Sequence, residues 1–265
     1  MRKDLPALDH SDRRWQPIIA RTDPQGAPRI EMIKRTDRTG SRLGVFASSF
    51  NPVTIAHLEL MRRARVEFSL DEVLAVAGRA NADKSRYECA LEDRLQMLWL
   101  ALSDAVHISI GLSSHAFYVD MLEALAPLYP QSDLHFVVGF DTFERVLDRD
   151  QRYAAKYHRQ FGDRLAALQY LFSHCRFIVA GRAGAGRDEV RALLADEPAA
   201  FGERVLYLDF PTDLGERSAS EVRARRRAGQ PIAGLVPAAV EAYIAARGLY
   251  QQESASGSPD CSPLA

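Results

Sequence analysis

The sequence predicts an α/β protein built on a doubly wound parallel sheet, and three observations point there. Short β-rich runs alternate with amphipathic stretches of about 10 to 15 residues, as βαβ crossovers require. Such crossovers are right-handed, which makes a doubly wound sheet the economical arrangement. The 265 residues are 47% hydrophobic and 26% charged, enough apolar chain for one substantial core and too much for a disordered or disulfide-framed protein. Finally, several polar or glycine-containing turns lie just past the strands, where ligands sit in open α/β sheets.

Residues 1 to 40 are dense in charge and carry Pro6, Pro17, Pro24 and Pro28 without a sustained period, so they read as a charged N-terminal extension, an extended arm or a partly disordered segment. RLGVFASSF is a buried strand running into a polar turn. PVTIAHLELMRRARVEF then has Leu58, Met61, Ala64 and Phe68 at helical spacing. EVLAVAG is a strand, ALEDRLQMLWLALSD an amphipathic helix, VHISIG a strand, and FYVDMLEALAPLYP a helix stopped by proline. LHFVVGF, CRFIVAG and RVLYLDF are the remaining strands, with RLAALQYLF helical between the first two. SASEVRARRRAG and PAAVEAYIAARGLY close the domain as helices. The domain therefore runs over residues 41–250, and residues 251–265 form a low-complexity tail with nothing to pack.

Charge narrows the function. With 34 basic and 35 acidic side chains the formal net charge is -1, which excludes the chain-wide positive field of a nucleic-acid coat, so any polyanion site must be local. Cys89, Cys175 and Cys261 form no CxxC pair, which suits a reducing compartment and no zinc site. The six histidines other than His57 show no metal spacing and read as structural or surface groups. No apolar run approaches the roughly 18 residues of a membrane span. The first residues also lack a signal peptide's apolar core, so a cytoplasmic protein without a membrane partner is expected.

Past the first strand come Ser49, Phe50, Asn51 and Pro52, then a helix whose first turn holds Thr54 and His57. Residues three apart share a helix face, so hydroxyl and imidazole point together beside free backbone amides, as in a phosphate cradle. Spacing alone equally allows Asn51 or Thr54 to cap the helix and His57 to pack on the sheet. Ser218 and Glu221 have the spacing of a capping box, which leaves Ser220 and Arg223 as phosphate ligands or plain helix surface. Arg225, Arg226 and Arg227 read as a solvated face or phosphate contacts. Gly139 and Asp141 follow a strand; the glycine lets a ligand approach or makes a tight turn, and the carboxylate accepts from ribose hydroxyls or caps the next helix.

GVFASSFNPVTIAHLEL resembles the amino-terminal motif of the nucleotidylyltransferase superfamily, G-x-F-x-x-x-F-[DN]-P-x-[HT]-x-G-H. It is most similar to the nicotinamide and nicotinate mononucleotide adenylyltransferases, where threonine commonly replaces the first histidine. Ala47 and Ser48 depart from a usually glycine-rich turn, and Ala56 stands where many members have glycine. SASEVR resembles the second motif, I-S-S/T-x-x-I/V-R, with Arg217 and Ala219 departing, and LVPAAVEAYIAARGLY resembles the family's carboxyl-terminal helix. The resemblance spans roughly residues 41 to 250 and is weakest from 142 to 205. Within that stretch residues 142 to 175 read as a lid or a homo-oligomer contact.

The resemblance implies a Rossmann-like nucleotidylyltransferase fold and a reaction of ATP with a pyridine mononucleotide, nicotinamide or nicotinate, giving a dinucleotide and pyrophosphate. It implies that His57 and Thr54 hold the α-phosphate, and that Ser218, Ser220 and Arg223 hold the β- and γ-phosphates. Ser49, Phe50, Gly139 and Asp141 would line the nucleotide site. Lys84 would contact phosphate and Arg94 support the site, although Asp83 replaces the family's histidine; without the family they are a loop lysine and a salt-bridge partner. Phe117 and Tyr118 would wall the pyridine ring, or else belong to the core. Magnesium would accompany ATP. The rivals are a phosphopantetheine- or CTP-type transferase and a non-catalytic nucleotide sensor on the same fold; an aminoacyl-tRNA synthetase lacks its K-M-S-K-S sequence here.

Overall fold

The computed structural model describes residues 11–37, 40–79, 88–181, 186–211, 214 and 217–251. The alternation in the sequence becomes one seven-stranded sheet of β1 (Ile30–Lys34), β2 (Arg42–Ser48), β3 (Glu72–Gly78), β4 (Ile108–Ser113), β5 (Asp133–Gly139), β6 (Arg176–Ala180) and β7 (Val205–Leu208). Their order is β1-β4-β3-β2-β5-β6-β7, parallel throughout except that β1 pairs antiparallel with β4. The helices among the described residues are α1 (Ser11–Ala20), α2 (Ile55–Glu67), α3 (Leu91–Leu102), α4 (Tyr118–Leu125), α5 (Phe140–Leu147), α6 (Ala154–Phe161), α7 (Arg164–His174), α8 (Arg187–Leu194), α9 (Ala199–Gly202), α10 (Ala219–Arg227) and α11 (Ala238–Ala246).

Central strands are apolar on both faces because helices cover both sides. The side-chain period of two divides each strand between two cores. Phe46, Val73, Ala75 and Ala77 face one core with Met61, Leu98, Val222 and Ile244. Val45, Leu74 and Val76 face the other with Phe136, Phe143, Leu168 and Phe177. The chain leaves β2 for β3 on one side and reaches β5 on the other, so the order reverses at the carboxyl ends of β2 and β5. A doubly wound sheet leaves a crevice at that point.

Two expectations need correction. Residues 1–40 are not simply an extended arm, since residues 11–20 and 30–34 form a helix and an edge strand packed on the domain. Pro17 inside α1 costs an isolated helix about 3 kcal/mol, but the fully buried Trp15 docks on α3 and donates Nε1–H to Gln96 Oε1 at 3.2 Å. Glu31 and Lys34 hid β1 in the sequence, although charged residues are what an edge strand tolerates. The second correction concerns the reading of residues 142 to 175 as a lid. They form the end of α5, then α6 and α7, and Tyr157, Leu168, Leu171 and Phe172 are buried in the second core. This segment is a packed wall of the domain. Residues 252–265 and Lys84 lie outside the described residues. No described helix is long and apolar enough to cross a membrane.

Phe177 holds the second core together, with ring centroids 5.7, 5.6 and 5.2 Å from Phe136, Phe143 and Phe172. Phe177→Ala should destabilise the protein by about 3–5 kcal/mol, read as a lower urea midpoint at unchanged slope. A midpoint within experimental error of wild type would show that this core is not packed as described.

Candidate active site

A cleft of about 470 Å³ opens at the switch point, a size typical of small-molecule sites. Its floor is the turn after β2. Phe50 takes a left-handed backbone, φ 46°, a conformation that costs a non-glycine residue on the order of 1 kcal/mol. Surrounding contacts fix it there: the ring is fully buried, edge-on to Phe46 at 5.8 Å and to His57 at 5.3 Å. The Asn51–Pro52 peptide is cis. Three ties from distant elements hold this turn. Buried Arg94 donates Nη1–H to the carbonyls of Ser49 (2.8 Å) and Gly78 (3.0 Å), joining the tips of β2 and β3. Arg223 donates Nη1–H to the Asn51 carbonyl at 2.7 Å. The Tyr250 hydroxyl donates to Asn51 Oδ1 at 2.7 Å, inside the core. Arg94 is therefore a carbonyl staple between the ends of β2 and β3.

The helix that follows shows that the two readings of Thr54 and His57 are compatible. Thr54 is the N-cap of α2 and its Oγ1 accepts from the His57 N–H at 3.4 Å, while the Thr54 N–H donates to His57 Nδ1 at 3.0 Å. This is a capping box with histidine where glutamate or glutamine usually stands. Accepting that bond requires a lone pair on Nδ1, so the geometry assigns the neutral ring's proton to Nε2. The imidazole lines the cleft as a donor of fixed tautomer. Thr54 is buried and its hydroxyl is engaged in the cap, so it orients His57.

Opposite, α10 begins at Ser218, whose Oγ accepts from the Glu221 N–H at 3.2 Å. The capping box expected there is incomplete, because the Glu221 carboxylate takes Arg225 Nε at 2.6 Å instead. Ser220 Oγ accepts from Arg223 Nη2 at 3.2 Å, so one guanidinium touches both the first turn and the second helix start. Its Nε donates to Glu88 at 2.9 Å, and Glu88 also accepts from Arg227. Burial would raise the Glu88 carboxyl, but the bonds from Arg227 and Arg223 hold it below its usual range.

The other predicted residues separate. Ser49, Phe117, Tyr118, Gly139, Ser218 and Ser220 line the cleft together with His57 and Arg223. Gly139 has an ordinary φ of −78°, and an added Cβ would meet nothing within 4 Å, so it makes no tight turn and instead leaves the cleft wall open. Asp141 is not among the residues that line the cleft, and it is not the N-cap of the next helix. It is exposed on the first turn of α5, whose N-cap is Gly139, while Thr142 and Arg145 of that helix face the cleft. Tyr118 packs edge-on to Phe136 at 4.9 Å, and burial pushes its phenol well above the usual range, keeping it neutral.

Sequence reasoning missed Tyr153 and Tyr157, which line the cleft from the N-cap and first turn of α6, edge-on to Phe117 at 5.0 and 6.3 Å. Their four-residue spacing was the available signal. Beside them Lys156 pairs with the buried Asp120 at 2.7 Å, tying α6 to α4. Among the described residues lining the cleft there are three arginines, Arg145, Arg217 and Arg223, and no aspartate or glutamate. A nearly neutral chain thus concentrates positive charge at one place. Burial pushes the Cys89 thiol up to about 11 and that of Cys175 up to about 12, so neither offers a thiolate.

A parallel sheet with two helix starts converging on a cationic cleft at its switch point defines a nucleotide-handling α/β protein. The chain belongs to the cytidylyltransferase-like family, whose model matches residues 45–225. It is 32% identical over 218 residues to a probable nicotinate-nucleotide adenylyltransferase of Gloeobacter violaceus, covering 80% of this chain and 97% of that protein. A protein of the same name from Gemmatimonas aurantiaca is 30% identical over 221 residues, 80% of this chain and 93% of the relative. The fold matches the Plasmodium falciparum nicotinic acid mononucleotide adenylyltransferase complexed with NaAD, at TM-score 0.58 and 18% identity over 80% of this chain and 98% of that one.

The capping box supplies a test that separates fold from chemistry. His57→Gln keeps an N3 side chain able to complete the box, so stability should stay within about 0.5 kcal/mol while turnover falls about 100-fold or more. His57→Ala should lose the same turnover and about 1 kcal/mol of stability as well. Full activity in the glutamine variant would remove His57 from the chemistry.

Proposed function

We propose that this cleft joins ATP to a pyridine mononucleotide, forming a dinucleotide and releasing pyrophosphate. The observation that carries the reading is Arg223, which bonds Asn51 of the first motif and Ser220 of the second across a cleft without acidic lining among the described residues. A phosphate oxygen of the mononucleotide attacks the α-phosphorus of ATP; the bond from that phosphorus to the bridging oxygen of the β-phosphate breaks in line, and that oxygen leaves with pyrophosphate. Such transfers depend on positioning and charge stabilisation more than on proton transfer.

In this reading His57 donates its Nε2–H to an α-phosphate oxygen as negative charge develops. Thr54 keeps the ring in that tautomer. Ser218, Ser220, Arg223 and the amino terminus of α10 hold the β- and γ-phosphates. Lys84 is proposed as a further phosphate ligand, from the resemblance alone. Phe117, Tyr118, Tyr153 and Tyr157 give the acceptor ring an aromatic wall. The names of the relatives favour nicotinate over nicotinamide as that ring's form.

Magnesium fits this cleft as the counter-ion of the triphosphate. The lining offers hydroxyls, amides and guanidinium groups, so the ion would be held by phosphate oxygens and water, as small hard cations accept. Its chemistry would be charge neutralisation at the leaving pyrophosphate.

The test is pyrophosphate release from ATP and magnesium, with nicotinate and nicotinamide mononucleotides supplied separately. Release with the nicotinate form, at least about 10-fold faster than with the amide, is expected. Arg223→Ala should raise the KM for ATP and lower kcat together. Saturable ATP binding with no release from either acceptor would overturn the reading and favour a nucleotide sensor.

A further inference from the structure

The segment from α1 through β1 lies before residue 45, where the family match begins, yet it touches the cleft's supports at three points. Its first contact is with α3, where Trp15 bonds Gln96 and the Arg14 guanidinium lies 4.6 Å from the Trp15 ring and 4.0 Å from that of Trp99. The same helix carries Arg94, which staples Ser49 and Gly78. A second contact comes just past α1, where Arg79 donates Nη1–H to the carbonyls of Ile19 and Thr22, both at 2.6 Å. Arg79 directly follows Gly78, a residue of the cleft wall, and its backbone N–H donates to the Ser113 carbonyl at 2.9 Å. The third contact is at β1. Arg29 N–H donates to Ser114 Oγ at 3.0 Å, and Ser114 N–H returns a bond to the Arg29 carbonyl at 2.9 Å. Ser113 and Ser114 are buried, and two residues further on Ala116 and Phe117 line the cleft.

We infer that α1 through β1 is a brace that sets the acceptor side of the cleft, with Arg79 as the positioning residue through which it acts. The sheet pairs β3 with β4 up to Gly78 and Ser113, and the Arg79 N–H adds one further bond to the Ser113 carbonyl; beyond that point the two chains diverge. The brace ties both to one rigid body, using backbone carbonyls that are already aligned at the end of α1. An aromatic wall for a ring must be placed to within a fraction of an ångström to contribute binding, so slack at Ser114 reaches Phe117. The inference rests on the proposed reaction only for which substrate feels the slack.

The experiment uses the full chain and two variants, Arg79→Met and Arg79→Lys. Methionine keeps the apolar stem and removes the donors. Lysine can still donate to two carbonyls, as Lys34 does to Leu102 and Ala105 at 3.0 and 2.5 Å. Arg79→Met should raise the KM for the mononucleotide about 10-fold while the KM for ATP and kcat stay within about twofold. Arg79→Lys should restore most of the difference. Amide hydrogen exchange at residues 114–118 should quicken in Arg79→Met and remain as in wild type across β5 and β6. Unchanged exchange at 114–118, or both KM values moving together with the melting temperature, would overturn the brace. If wild type turns over neither mononucleotide, the proposed reaction fails on its own, and exchange at 114–118 still decides the brace: faster exchange supports it, unchanged exchange overturns it.

Discussion

The cleft depends on the hydrogen bond from the Arg223 guanidinium to the carbonyl of Asn51. These residues are 172 positions apart, and the bond between them ties the turn before α2 to the start of α10 in one site. A charged donor to a neutral carbonyl contributes about 1.5–3 kcal/mol, more than most surface ion pairs. Removing the donor would also leave the Asn51 carbonyl without its partner beside a left-handed Phe50. The turn could then relax, and His57, which packs on Phe50 at 5.3 Å, would lose its support.

The ties around this turn share one property: the acceptors are mostly backbone carbonyls of Ser49, Gly78 and Asn51. Backbone acceptors let the turn keep its shape without spending side chains that the substrate needs. They also orient guanidinium groups toward the site without placing carboxylates among its described lining residues. Glu88, the acidic partner of Arg223 and Arg227, does not line the cleft itself. A local excess of positive charge thus survives in a chain whose formal net charge is -1. The field at the cleft is a matter of which charges face it, not of how many the chain has.

This explains which parts of the molecule were legible in the sequence. Strands β2 to β6 were visible because parallel strands buried in the sheet read as continuous apolar runs, and the half-buried edge strand β7 was visible because its own Val205–Leu208 run is apolar. The first strand, β1, and the helix α1 were not, since Glu31, Lys34 and Pro17 make sense only with the edge of β4 and the Trp15 pocket in place. His57, Ser218 and Arg223 were legible because a helix start is a local object with local spacing. The Ser218 capping box was misread for the opposite reason: Glu221 has a choice of partners, and Arg225 one turn on wins its carboxylate. Asp141 follows the strand as expected, but it is exposed on α5, and the residues of that helix that line the cleft are Thr142, Arg145 and Val146. Tyr153 and Tyr157 come from a stretch whose pattern matched the family poorly. Ties to carbonyls carry no sequence signature at all, because any residue supplies the acceptor.

The most direct test of the account is a crystal structure of the chain with a non-hydrolysable ATP analogue. An α-phosphate oxygen is expected within hydrogen-bond reach of His57 Nε2, about 3 Å, and the terminal phosphates on Ser220 and Arg223. An analogue bound with its phosphates away from His57, or outside the cleft altogether, would contradict it.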